Sequence, residues 1–232
     1  MPYRTLDRYK ITKTAETLEQ RIAERFPQSS LRNVAREVAG ATVELGEHAQ
    51  HMARPIWWLR LAILAFLGAC LFLFSQVGTF IQIDTLSSEN PSDLVQTLEA
   101  GINTAVFAGI GIFGLANLEM RMKRSRALKS LHAMRSIIHI IDMHQLTKDP
   151  SAFSGGYHRT EHSPERTLTP NELARYLDYC SELLSITGKI AALYAQSLDD
   201  DVVVGTVNDI ESLGTNLSRK IWQKIMLIET VD

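Results

Sequence analysis

Histidine and carboxylate residues cluster in the second half of the chain, and together they form a ligand set suited to zinc or another transition metal. His132 and His139 are seven residues apart, on one face of a predicted helix, and Asp142 follows His139 by three residues. These three residues are the candidate metal ligands. The favoured interpretation, however, is that they are surface or interhelix hydrogen-bonding residues, because the sequence contains no H-E-x-x-H motif.

Other catalytic motifs are missing from the sequence. The chain has no G-x-S-x-G sequence, no P-loop sequence and no CxxC pair, and Cys70 and Cys180 lie far apart. Its 24 basic residues balance 26 acidic residues, without a basic block interleaved with aromatic residues. We therefore expect a protein that is not an enzyme, needs no cofactor and binds no nucleic acid.

The segment from Gly109 to Gly114 matches the G-x-G-x-x-G dinucleotide-binding pattern. That pattern requires a preceding strand and an acidic residue about 20 positions later, whereas Glu119 follows after only five residues. Close packing of helices in lipid is the favoured interpretation, because Gly101, Ala105 and Gly109 place small residues at every fourth position. Candidate partners in the preceding apolar run are Ala62, Ala65 and Ala69.

Polar residues interrupt the two apolar runs. Ser75, Thr79 and Gln82 share one helix face, and Asn103 lies at a matching depth in the second run. Polar groups at membrane depth usually face a neighbouring helix or a water-filled path. Hydrogen bonding between helices is the favoured interpretation. The alternative is that these four residues line a pore, which requires an oligomer because two helices enclose no channel.

The length of the apolar runs predicts membrane spans. Residues 61–83 and 100–118 form uncharged runs of 23 and 19 residues, and a hydrocarbon core of about 30 Å requires about 20 helical residues. The predicted spans are 57–81 and 100–119, within a transmembrane hairpin of residues 55–119 that includes an external acidic loop at 84–99.

Charge around the runs predicts their orientation. The loop at 84–99 contains acidic residues and no Lys or Arg, whereas basic residues precede the first run and follow the second. Because short translocated loops lack Lys and Arg, we expect both termini in the cytoplasm and the protein in a bacterial inner membrane.

The remaining residues show helical periodicity without a β pattern, so the predicted fold class is all-α. Residues 1–54 are predicted to form N-terminal helices, with a cap at Ser29 or Ser30 and an end near Pro55. Residues 120–147 are predicted to extend the second span as one helix. Residues 148–169, rich in Pro, Gly and Ser, are predicted to be a flexible linker.

Residues 170–232 are predicted to form an antiparallel, coiled-coil-like pair of helices packed on the extension of the second span. Thr169 and Glu172 match a capping box, with Pro170 at the first helical position. Apolar residues then alternate by four and three along both helices, as in a seam between helices. The predicted architecture is a transmembrane hairpin with a cytoplasmic helical bundle.

Three stretches resemble segments of uncharacterised bacterial two-span inner-membrane proteins: Ile141–Pro150, Tyr176–Cys180 and Leu217–Lys224. The resemblance covers mainly residues 120–230 and implies a bacterial inner-membrane setting, without a known activity. In architecture only, the chain is also similar to small two-span membrane effector modules of bacterial defence systems.

The expected function is non-enzymatic: the hairpin anchors the chain, and the bundle associates with further copies or binds a partner. One alternative is an oligomeric pore or membrane-permeabilising effector. A second is a metal-dependent site on the helix after the second span. The expected partners are the lipid bilayer, further copies of the chain and a cytoplasmic protein.

Overall fold

The computed structural model describes residues 5–80, 91–153, 158, 160–164 and 167–229, and its regular structure in these ranges is helical, without a strand. The prediction of an all-α fold class is confirmed. In chain order the elements are α1 (Arg8–Arg25), α2 (Ser30–Met52), α3 (Trp57–Phe80), α4 (Pro91–Leu146), a 3₁₀ turn (Pro150–Phe153), α5 (Pro170–Ser197) and α6 (Asp201–Glu229).

The chain divides into two compact units. Residues 1–53 and 124–232 form one, which we call the large unit, and residues 54–123 form the small unit. The division falls within α4, between Lys123 and Arg124.

Side-chain caps determine where helices of the large unit begin. Ser29 accepts a hydrogen bond from the Leu31 amide at 3.2 Å and caps α2, as the sequence predicts. At α5, the Thr169 amide donates to Glu172 Oε2 at 2.8 Å, while the Glu172 amide donates to Thr169 Oγ1 at 3.3 Å. The predicted capping box is therefore complete, and such a cap typically contributes about 1 kcal/mol.

The core of the large unit is built around α5. The predicted seam is buried along both C-terminal helices, at Leu173, Leu177, Cys180, Leu184, Thr187, Ala191, Tyr194 and Leu198, and at Val203, Val207, Ile210, Gly214, Leu217, Ile221 and Ile228. From α4 the core includes Ala127, Leu131, Met134, Ile138 and Ile141. Each large aliphatic side chain contributes about 1.5–3 kcal/mol when it is fully buried.

Contacts between helices give the directions of packing. A Cβ at Gly214 would lie 3.8 Å from the Leu184 carbonyl oxygen, and one at Gly188 would lie 3.9 Å from Glu211 Cγ. Later residues of α5 thus meet earlier residues of α6, as in an antiparallel pair. On the other side of α5, the Tyr194 hydroxyl donates to the Leu45 carbonyl of α2 at 3.0 Å.

Two predicted loops differ from the structure. Helix α4 begins at Pro91, inside the segment predicted as loop 84–99, because proline has no amide hydrogen to lose at a first helical position. Residues 84–90 lie outside the described residues. In the predicted linker 148–169, Pro150 is buried and Phe153 and Leu168 pack against the core, so these residues are anchored.

Candidate functional site

Two helical stretches, Ser30–Phe72 and Gly101–Leu146, are long and apolar enough to cross a membrane by length and composition. Only 6% of the most apolar 18-residue window in the first, and none in the second, is buried. Large side chains such as Leu71 and Phe107 are 70% and 72% exposed. This exposure is the opposite of what the core helix of a water-soluble protein shows.

Helices α3 and α4 contact each other closely at one glycine of the small unit. A Cβ at Gly111 would lie 2.6 Å from Phe66 Cζ, so the Phe66 ring occupies the space that a side chain would take. Just before the start of α3, the Ile56 amide donates a hydrogen bond to Glu119 Oε1 at 3.2 Å. Lys123 Nζ lies 2.9 Å from the same carboxylate oxygen. Phe66 thus meets Gly111, and Ile56, ten residues earlier, meets Glu119, eight residues later. Within the small unit the two helices therefore run antiparallel.

The predicted small-residue stripe makes no such approach to any residue that the structure describes. A Cβ at Gly101 or Gly109 would meet nothing within 4 Å, and Ala105 is exposed. On α3, Ala62 is half-buried, while Ala65 and Ala69 are exposed. The close approach seen between α3 and α4 lies at Gly111, and helix packing through the stripe stays a prediction.

The candidate pore-lining residues are only partly described. Ser75 is exposed, and its hydroxyl donates to the Phe72 carbonyl at 2.8 Å. Nine positions separate Ser75 from Phe66, which places the two on opposite sides of α3. Asn103 is exposed on α4. The Thr79 side chain and all of Gln82 lie outside the described residues.

The candidate metal ligands are not brought together. His132 and His139 are exposed, and Asp142 Oδ1 accepts a hydrogen bond from Gln145 Nε2 at 2.6 Å. Across the described ranges, no group of three or more His, Cys, Asp or Glu residues is arranged to hold a metal ion.

A polar cluster that the sequence analysis missed lies at the end of α4. The ammonium of Lys224, on α6, donates to the Gln145 carbonyl at 2.9 Å, to Gln145 Oε1 at 2.7 Å and to the Lys148 carbonyl at 3.3 Å. Burial lowers the pKa of Lys224, although Asp149 and Asp142 act in the opposite direction. The bonds give a charged donor to carbonyls at the end of the helix, where the Gln145 carbonyl also accepts from the Lys148 amide at 3.1 Å.

Cys180 is fully buried beside this cluster. Burial raises the pKa of its thiol to about 12, and the positive charges of Lys224 and Lys148 oppose that rise only in part. The thiol is therefore protonated at neutral pH. A protonated, inaccessible thiol is a core group and not a nucleophile.

An ion pair between the partly exposed Arg124 and the buried Asp200 joins α4 to the turn before α6. Arg124 Nε and Nη2 lie 2.8 and 2.7 Å from Asp200 Oδ2, and Asp200 Oδ1 accepts from the amides of Val202 and Val203. Burial acts to raise the pKa of Asp200, but Arg124 and these two amides outweigh burial and hold it below its ordinary value. One carboxylate thus caps α6 and fixes α4 beside it.

Comparison with known proteins gives no match. No family model matches the chain, and the searches of curated proteins and of solved structures found no match.

Proposed function

We propose that this chain is a membrane-anchored helical protein without catalytic activity, which associates with further copies of itself through its helices. In this proposal α3 and the first part of α4 cross a bacterial inner membrane as a hairpin. The acidic loop lies outside, and both termini lie in the cytoplasm. The large unit then supplies a cytoplasmic surface for further copies or for a protein partner.

One observation carries the proposal: the most apolar windows of the chain are almost entirely exposed, although the large unit has a well-buried core. A monomeric water-soluble protein rarely exposes more than a few hundred Å² of continuous apolar surface. Lipid is the solvent that makes such exposure favourable, and a helix of 24 residues such as α3 is about 36 Å long.

Self-association is supported by the open small-residue stripe. Gly101, Ala105 and Gly109 recur on one face of α4, and the chain itself leaves the two glycines uncovered. Small residues let two helices approach closely in lipid, where hydrophobicity no longer drives association.

The experiment is the mass of the detergent-solubilised chain, measured by light scattering after subtraction of bound detergent. We expect a multiple of 26.0 kDa. A monomer at micromolar concentration would contradict self-association. Replacing the buried seam residues in Leu177→Asp and Leu184→Asp is expected to disrupt the large unit and any oligomer that depends on it. The control is Ser185→Asp, at an exposed position of α5.

An oligomeric pore is the second candidate, favoured by the exposure of Asn103 on an uncharged, largely apolar stretch of α4. An amide at membrane depth is stabilised by another helix or by water. Conductance of the purified oligomer in planar bilayers tests this candidate, with Asn103→Leu expected to change the unitary conductance. An intact oligomer that conducts no ions would reject the pore.

A further inference from the structure

A groove in the large unit lies where α1 ends, α2 begins and α4 ends, and we call it the basic groove. Its volume is about 710 Å³, within the range of small-molecule sites. The proposal below uses six of its lining residues: Arg25, Phe26, Ser30, Thr147, Lys148 and Tyr176. Among the described residues, no Asp or Glu lines it. This concentration of positive charge is local, because the whole chain carries a formal net charge of −2.

Both cations of the groove are without an ion-pair partner among the residues that the structure describes. Within the described part of the chain, neither Arg25 nor Lys148 has a carboxylate oxygen within 4.0 Å. Lys148 Nζ lies 5.2 Å from the centroid of the Tyr176 ring, in a cation–π contact. The carboxylate of Glu172 acts on Arg25 at longer range, but it accepts hydrogen bonds from the Thr169 amide and hydroxyl.

The neighbouring groups add no negative charge. Burial raises the pKa of Tyr176 to about 12, so its hydroxyl is neutral at physiological pH. His144 Nδ1 lies 2.8 Å from the Ile140 carbonyl oxygen, so this nitrogen carries the proton and Nε2 stays available to a ligand.

Helix ends at the groove also favour an anion. Helix α2 begins at Ser30 and has 23 residues, so its amino end contributes partial positive charge. The end of α4 at Leu146 contributes the opposite sign. There, however, the ammonium of Lys224 covers the Gln145 and Lys148 carbonyls and neutralises that end.

We propose that the basic groove binds a small phosphorylated molecule carrying at least two negative charges, held between Arg25 and Lys148. The hydroxyls of Ser30 and Thr147 supply further hydrogen bonds to the phosphate oxygens. The aromatic wall at Phe26 and Tyr176 contacts the apolar part of the ligand. This site goes beyond the proposed anchoring function, since it does not depend on how the small unit meets a membrane.

The experiment is isothermal titration of the full chain in a neutral detergent with sodium pyrophosphate, and separately with ATP, at 50 mM salt. We expect saturable binding of one ligand per chain. Arg25→Gln and Lys148→Gln are each expected to weaken binding about tenfold, because each removes one charge-assisted contact. Arg25→Lys, which keeps the charge, is expected to retain most of the affinity.

Lys13→Gln is the matched control, because Lys13 is an exposed cation on α1 outside the groove. It is expected to bind like the unchanged chain, and thermal unfolding of each variant checks that the fold is intact. The proposal is overturned if neither probe binds saturably, or if Lys13→Gln weakens binding as much as Lys148→Gln. Tighter binding of ATP than of pyrophosphate would support contact with the aromatic wall.

Discussion

At the scale of single residues, Lys224 stands out because its partly buried ammonium donates three hydrogen bonds within the large unit. Its three hydrogen bonds cover carbonyl and amide oxygens at the end of α4. We predict that Lys224→Met lowers the free energy of unfolding by about 1–3 kcal/mol, since it leaves these oxygens without their charged donor. Denaturant unfolding of the full chain in detergent, followed by circular dichroism, measures the loss.

Lys220→Met is the control, because Lys220 is exposed on the same helix. It is expected to change the free energy of unfolding by less than about 0.5 kcal/mol. Equal losses for the two variants would mean that the Lys224 contacts contribute nothing specific.

Cys180 makes the free energy of unfolding of the large unit depend on pH in the alkaline range. The thiol pKa is raised from 9.0 to about 12 in the folded chain, so between these values the unfolded state binds fewer protons than the folded state. Stability from this group is complete below pH 9 and is lost as pH rises, by about 1.4 kcal/mol per pH unit. We predict that Cys180→Ala loses less stability than the unchanged chain between pH 8 and 10.5, measured by denaturant unfolding. If the free energy of unfolding falls equally with pH in the two proteins, the raised pKa of the buried thiol is contradicted.

Single residues also show which contacts can be predicted from the sequence and which cannot. The caps at Ser29 and Thr169 were predictable because they depend on residues at most three positions away. Lys224 was not recognised, although it follows Ile221 by three and precedes Ile228 by four on the buried seam. A charged residue in such a position indicates a buried partner, but its partners on α4 are some 79 positions away along the chain.

At the scale of helices, the contact of Phe66 with Gly111 separates two kinds of packing in the small unit. Gly111→Val places methyl groups where the Phe66 ring lies, whereas Gly109→Val places them in open space. We predict that Gly111→Val lowers disulfide crosslinking between cysteines placed at Ile56 and Glu119, in a background without Cys70 and Cys180. The physical reason is that overpacking forces α3 and α4 apart.

Gly109→Val is expected to leave that intrachain crosslink unchanged and to reduce the mass of the detergent-solubilised complex. The reason is that a branched side chain prevents close approach of a second copy along the stripe. Loss of the intrachain crosslink in Gly109→Val, with the oligomer intact, would reverse the two assignments.

The features predicted from hydrophobic periodicity agree with the structure better than those predicted from composition. The seam of α5 and α6 was predictable because burial repeats every three or four residues for the whole length of both helices. The start of α4 was missed because the prediction followed the apolar run, whereas the helix begins earlier, at Pro91. The abundance of Pro, Gly and Ser in residues 148–169 predicts a flexible linker, whereas Phe153 and Leu168 pack against the core.

At the scale of the whole molecule, the chain combines a unit with a well-packed core and a unit whose apolar surface is open. The candidate metal ligands are not assembled at this scale: His132 and His139 share a helix face, and within the described ranges no group of three or more His, Cys, Asp or Glu residues could hold a metal ion. The basic groove was invisible in the sequence for the opposite reason, since Arg25 and Lys148 are brought together only by the fold.

The most direct measurement of the central claim is extraction of the full chain from bacterial membranes with alkaline carbonate, compared with a mild non-ionic detergent. We predict that the chain stays in the membrane pellet after carbonate and enters the supernatant only with detergent, because the apolar surfaces of α3 and α4 have no other solvent. Release of most of the chain by carbonate alone would contradict membrane anchoring.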